Sequence, residues 1–424
     1  MSLSPQQREY FEHATRLVQQ DALAEAVMGL VDVASPTGCE GALARSIADR
    51  LRERGLDGLE QPLDAQQSNA LGRLPGSGGG PSLLLYSPID TVTSNSPAED
   101  LPVAGSEFTP DMAARSSRRG PYVVGLGAQN PKGHAACVLV AAEAIKAAGI
   151  PLRGDLYVGF GAGGMPTDAR PGTRADCGHG AGCNHLLKDL QPTFAIIAKT
   201  GWAVSWEEVG LVWYEVRVHG THTYVGSRHL LPYVNPIHQA ARLIDALEAW
   251  FPIWTEQHRS GLVAPQGAVS FIEAGWERSA TFVPAVCRFR LDLRLSPRTS
   301  PEEADRAFSA ALAQLARTLD VSYEWRRLMA IPGTTTAPDN LIIKTAIEAW
   351  ETLEGRAHRP ITGLSGATDA NILRAHGIPT ARIGLPKADL PNLDFGQGMN
   401  TVSVPAMVKL THHLIYCAVA ICAA

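Results

Sequence analysis

Apolar and polar positions along this chain fall into two regimes. In the first, short apolar runs alternate with helical patterns. PSLLLYSPID, PYVVGLG and GDLYVGFGAG are apolar runs bounded by Pro and Gly, and they predict buried strands. AACVLVAAEAIKAAG predicts a buried helix. Residues 15–55 predict two helices separated by ASPTGCE, the second of which, GALARSIADRLRERG, has apolar positions at helical spacing and stops at Gly55. Strands alternating with helices imply a mostly parallel sheet covered on both faces.

Near residue 206 the period changes to two. EVGLVWYEVRVHG alternates as a half-buried strand does, and NPIHQAARLIDALEAW follows as a helix. GAVSFIEAG and CRFRLDLRLSP predict strands, and SPEEADRAFSAALAQLARTL predicts a helix opened by a capping box. This order suggests a small α+β insertion. The α/β pattern returns after about residue 330 with NLIIKTAIEAWETL, ATDANILRAHG and IPTARIG. The expectation is an α/β fold in which residues 1–206 and 329–424 form one discontinuous domain with a mostly parallel mixed sheet flanked by helices. Residues 207–328 would form an inserted α+β lid or dimerisation domain. GAGGMPTDARPGTRADCGHGAGC is a long loop, of the kind that walls or covers a site.

Composition narrows the function classes. Hydrophobic residues make up 45%, charged residues 19%, and the net charge is −5, which is ordinary for a globular protein. No basic tract points to nucleic acid. The polar N-terminus has no apolar signal-like core, and no apolar run reaches the roughly 20 residues of a membrane span, so a cytoplasmic protein with no membrane partner is expected. Seven scattered cysteines suit reduced thiols better than a disulfide framework.

Several stretches combine into a recognisable order. ASPTGCE resembles "PSxTGxE", YSPIDTV resembles "GHxDTV", GLGAQNPKG resembles "GRGAxDMKG", and VHGTHTYVGSRHLLPYVNPI resembles a lid strand followed by an "NAI" helix. VPAVCRFRLDLRL, SGATDAN and QGMNTV resemble "IPxxxxxxxDxR", "GGTDA" and "HGxNExV". Together these motifs cover nearly the whole chain. They resemble the di-zinc amidohydrolase family of aminoacylase, acetylornithine deacetylase and succinyl-diaminopimelate desuccinylase. The resemblance implies that family's fold, a small-molecule substrate and a homodimer formed through the insertion.

The family's zinc ligands do not carry over. Position by position, its ligand histidine falls on Pro88, its bridging aspartate on Asn130, and its last histidine on Gln397. The catalytic and neighbouring glutamates fall within Ala162–Met165, which has no carboxylate, and a further ligand falls on Lys199. The family implies zinc, but with these residues no cofactor is expected. Asn is a poor zinc ligand and an ammonium is none.

The candidates for chemistry are Lys199 as a replacement cation, Asp90 as a base or a partner of Lys199, Asn130, and Cys183 as a thiolate nucleophile. Lys199 could equally snorkel to solvent. Cys177, His179, Cys183 and His185 could alternatively form a zinc site or a plain loop. Candidates for substrate binding are Arg294, Tyr224, His222, Thr368, Gln397 and Asn400. Arg294 has an alternative as a partner of Asp292. The function expected is hydrolysis of a C–N bond in a small anionic amide, ureido or cyclic imide compound. The alternatives are a non-catalytic binding protein and a zinc enzyme using the Cys177–His185 loop.

Overall fold

The structure is a computed structural model that describes residues 3–105 and 107–424. The chain divides into two compact units. One comprises residues 3–206, 336–360 and 368–424, and the other residues 207–335 and 361–367.

The first unit is built on a six-stranded mixed sheet. Its strands run in the order Asp57–Pro62, Ser68–Leu74, Leu156–Gly161, Leu83–Pro88, Phe194–Ala198, Thr380–Ile383. The last four are mutually parallel, while the first two form an antiparallel hairpin at the edge that the hydrophobic pattern did not reveal. Leu83–Pro88 is buried at every position, as befits a central strand covered on both faces. Helices Pro5–Arg16, Gln20–Val31, Gly41–Glu53, Lys132–Ala147, Leu341–Glu354 and Val404–Cys422 supply the surrounding layers.

Two expectations are corrected in this unit. PYVVGLG does not join the main sheet. Its three-residue strand, Tyr122–Val124, pairs instead with Ser117–Arg119 and Thr401–Ser403 in a small antiparallel sheet. The apolar C-terminus also forms a longer element than its interrupted sequence suggested. Helix Val404–Cys422, 19 residues, is long and apolar enough to cross a membrane, yet 67% of its most apolar window is buried inside the protein. It packs on helices Lys132–Ala147 and Leu341–Glu354, so its apolarity is that of a core helix.

The second unit is a four-stranded antiparallel sheet ordered Gly267–Ala274, Val286–Leu295, Gly210–His219, Tyr323–Ile331. Helices Pro236–His258 and Pro301–Leu319 share its core. The capping box forms as the sequence signalled: Ser300 Oγ accepts from the Glu303 N–H, and Glu303 Oε2 accepts from the Ser300 N–H. The helix then buries Ala304, Phe308, Leu312 and Ala316, four residues apart along one stripe. The C-terminal boundary lies at residue 335 rather than 328. Tyr323–Ile331 is hydrogen-bonded along Gly210–His219 and so belongs to this sheet.

Candidate active site

In an open parallel sheet, polar groups collect beyond the carboxyl ends of the strands, where loops leave in different directions. Here the strand ending at Pro88 delivers Asp90, the strand ending at Gly161 delivers Ala162–Met165, and the strand ending at Ala198 delivers Lys199. Asp369 arrives just before helix Ala370–Ala375.

Asp90 is fully buried and held by three donors. Thr37 Oγ1 donates to Oδ2 at 2.7 Å, the Gly164 N–H to Oδ1 at 2.8 Å, and the Met165 N–H to Oδ2 at 2.9 Å. A carboxylate bonded in this way fixes the loops around it, and each such charge-assisted bond is worth about 1.5–3 kcal/mol.

Asp369 is the second buried acid. Tyr86 Oη donates to its Oδ2 at 2.7 Å. Burial pushes its carboxyl up to about 7, the Tyr86 hydrogen bond and the Lys199 charge pull it down, and the Asp90 charge adds to the rise. Lys199 is 8% exposed and Asp369 is 4% exposed, so Lys199 does not snorkel to solvent. Its charge acts on Asp369 and on His134, which lies in the first turn of helix Lys132–Ala147. Burial first, then the Lys199 and Arg382 charges, push His134 down to about 3, so its ring is neutral. Neutral Nε2 accepts the Leu385 N–H at 3.0 Å.

The glycines at this edge are needed for close packing. A Cβ on Gly163 would lie 1.9 Å from the Cys177 carbonyl oxygen, and Gly163 has φ +61. A Cβ on Gly164 would lie 2.5 Å from Pro88 Cβ and just over 3 Å from carboxylate oxygens of Asp369 and Asp90. The space in which a side chain at these positions would begin is therefore filled.

The remaining candidates fall in varied places. Asn130 is buried; its Nδ2 donates to Met399 Sδ at 3.6 Å, and its Oδ1 has no hydrogen-bond partner among the described residues. Asn400 pins loops together: its Oδ1 accepts the Gly127 N–H at 2.8 Å and its Nδ2 donates to Asp111 at 3.2 Å. Gln397 is spent on a helix cap, exchanging hydrogen bonds with Asp394. Thr368 Oγ1 accepts the Ala370 N–H at 3.2 Å.

Cys183 does not have the setting of a nucleophile. It is fully buried in an apolar cluster with Leu84, Tyr86 and Leu186, and burial together with the Asp369 charge pushes its thiol far up. The Cys/His loop is dispersed. Cys177 lies against Thr173, His179 beside Asp168, and His185 beside Lys188. Among the described residues, no three His, Cys, Asp or Glu side chains are grouped to hold a metal ion.

Three candidates lie in the second unit. Arg294 Nε pairs with Asp292 Oδ1 at 2.7 Å, which is the alternative considered for it, and Asp292 Oδ2 also accepts from Trp213 at 2.9 Å. Tyr224 is half exposed. His222 is exposed and stacks on Phe282 with ring centroids 5.6 Å apart.

Sequence reading missed Tyr86, Asp369 and Glu40. Tyr86 carried a signal, because a hydroxyl inside an otherwise apolar strand must find a partner. Asp369 stands next to Thr368 in SGATDAN, and Glu40 closes ASPTGCE. Both are acids inside motifs already singled out.

Comparison with known proteins agrees with this architecture. The model of peptidase family M20/M25/M40 matches residues 84–394, and the chain belongs to that family. Human carnosine dipeptidase 1 superposes with a TM-score of 0.72 at 13% identity, over 98% of each chain. An amidase of the hydantoinase/carbamoylase family from Burkholderia multivorans gives 0.63 at 13% identity, covering 95% of this chain and 98% of the other. A dinuclear metal-binding M20 peptidase from Bacillus subtilis gives 0.61 at 14%, again covering 95% and 98%. At these identities the structural likeness establishes the fold.

Proposed function

We propose that this chain hydrolyses a C–N bond in a small anionic amide, ureido or cyclic imide compound, and does so without a pair of metal ions. Membership of the family supports amide-type chemistry. The observation that carries the reading is that Asp369, whose carboxyl burial pushes up to about 7, and Lys199, whose charge acts on it, are both buried at the strand ends.

A dinuclear centre like that of the Bacillus subtilis relative does not fit these residues. Asp90 spends both oxygens on three donors, and Tyr86 holds one oxygen of Asp369. The positions where the sequence resemblance places ligands hold Pro88, Asn130, Gly163, Gly164, Lys199 and Gln397. An ammonium in the cleft repels divalent cations.

In the proposed reaction Asp369, as the carboxylate, takes a proton from water while the water oxygen attacks the substrate carbonyl carbon. The Lys199 ammonium stabilises the oxyanion that forms. Asp369, now the acid, gives the proton to the departing nitrogen as the C–N bond breaks. Tyr86 orients Asp369 throughout.

A second reading, a binding protein without turnover, is favoured by the complete saturation of Asp90 and by the lack of a carboxylate at Ala162–Met165. One experiment separates the two. Metal-stripped protein is incubated with N-acyl amino acids, ureido acids and cyclic imides, and products are followed by NMR. Turnover that survives chelation and is lost in Asp369→Asn supports hydrolysis. Turnover that appears only with added zinc overturns the metal-free reading, and saturable binding without product supports the second.

A further inference from the structure

Glu40 is fully buried beside the Gly163–Met165 loop that also holds Asp90. Its Oε1 accepts the Gly163 N–H at 2.8 Å, the Gly38 N–H at 3.1 Å and Gln67 Nε2 at 3.4 Å. The next two N–H groups along the chain, those of Gly164 and Met165, go to Asp90. Two acids thus take three consecutive main-chain donors in the loop that follows one strand. They differ in one respect. Both oxygens of Asp90 are bonded, whereas Glu40 Oε2 is buried with no hydrogen-bond partner. A buried carboxylate oxygen without a donor is costly, and a second negative charge beside Asp90 adds repulsion.

We infer that Glu40 is a positioning residue that works as the neutral acid: its Oε1 anchors Gly163, its Oε2 carries the proton, and the loop so fixed presents the Gly164 and Met165 N–H groups to Asp90. The inference builds on the site used in the proposed function, but not on any turnover. Burial first, and the Asp90 charge second, raise the Glu40 carboxyl to about 8, consistent with this assignment. The groups that face it are few. Among the described residues, Asp90 acts on it from another element and raises its carboxyl. Gln67 is neutral, and its amide oxygen takes Arg174 at 3.1 Å. Cys39 is the neighbouring thiol, itself raised by burial and by Glu40, and Cys177 approaches through its carbonyl, which accepts from Gln67 at 2.7 Å.

A carboxyl that holds its proton in the folded chain up to about 8, but releases it near its ordinary value when unfolded, makes the folded state the better proton binder between those values. Stability is then highest at acid pH and declines as pH rises through about 8. The test is thermal unfolding of the full chain from pH 5 to 9, as wild type, Glu40→Gln and Glu40→Ala, with infrared difference spectra at pH 7. Glu40→Gln keeps the acceptor for Gly163 and cannot ionise. It should match or exceed the wild type above pH 8, lose this part of the alkaline decline, and lack a protonated-carboxyl band present in the wild type. Glu40→Ala should melt several degrees below Glu40→Gln at every pH. A Glu40→Gln variant with the wild-type alkaline decline and no missing carboxyl band overturns the neutral acid. A Glu40→Ala variant as stable as Glu40→Gln overturns the positioning role. None of these readouts needs substrate, so failure here is distinct from failure of the hydrolase reading.

Discussion

Tyr86 and Asp369 are 283 residues apart in sequence, and their side chains meet at 2.7 Å in the buried polar centre of the first unit. Tyr86 comes from a central strand and Asp369 from the start of a short helix. The contact also explains the glycine on the neighbouring strand, because a Cβ on Gly161 would lie 1.8 Å from the Tyr86 hydroxyl. Through Asp369 the pair is linked electrostatically to Lys199 and Asp90.

Replacing Lys199 by Ala should reduce kcat/KM, or affinity if there is no turnover, by about 2–4 kcal/mol of transition-state or binding free energy. The fold should survive at reduced stability, since Asp369, whose carboxyl burial already raises to about 7, can keep its proton when the Lys199 charge is removed. Lys199→Arg should rescue poorly, because a planar guanidinium does not fit a point-charge site. Titration calorimetry and kinetics on a substrate found by screening provide the comparison. Parent-like behaviour in both variants would remove Lys199 from the site.

Activity should rise with pH along a limb near 7 as Asp369 loses its proton and becomes able to act as a base. The Tyr86 hydrogen bond holds that carboxyl down, so Tyr86→Phe should move the limb to higher pH. The stability contribution has the opposite trend. The raised carboxyl favours the folded chain most at acid pH, and that advantage fades as pH rises from the ordinary carboxylate range through about 7. A pH–rate profile and parallel melting curves on the parent, Tyr86→Phe and Asp369→Asn check both signs. An unmoved limb in Tyr86→Phe would count against the assignment.

Restoring an acid on the glycine strand end should not restore metal binding. Gly164→Glu meets Pro88, and Gly163→Glu meets the Cys177 carbonyl at a left-handed backbone position. Overpacking of this kind costs typically about 1–3 kcal/mol, and the positive φ adds to it at Gly163. Urea unfolding should show both variants destabilised, and elemental analysis should find no gain in bound zinc.

We expect a homodimer formed through the second unit. Strand Gly267–Ala274 is at the edge of its sheet and exposes Phe271 and Ile272. An apolar unpaired edge invites pairing with another chain. Light scattering at micromolar concentration should give twice the chain mass, and Ile272→Lys should shift it toward monomer. A monomeric parent would contradict the proposal.

The sequence by itself determined the secondary structure where periodicity was strong. The central strand at Leu83–Pro88, the helix Lys132–Ala147 and the capped helix after Ser300 all follow from patterns spanning a few turns or one strand. It also supplied the expectation that Pro88, Asn130, Lys199 and Gln397 stand where the family resemblance places metal ligands. Tertiary structure decided what those residues do. Sequence left Lys199 free to reach solvent, and only packing around the strand ends shows it buried and acting on Asp369. Gln397 and Asn400 looked like site residues, but their hydrogen bonds cap a helix and pin a loop. Glu40, Tyr86 and Asp369 went unremarked because an acid or a hydroxyl acquires its protonation and its partner from burial and distance. Those quantities depend on segments far apart in the chain, and no local pattern encodes them.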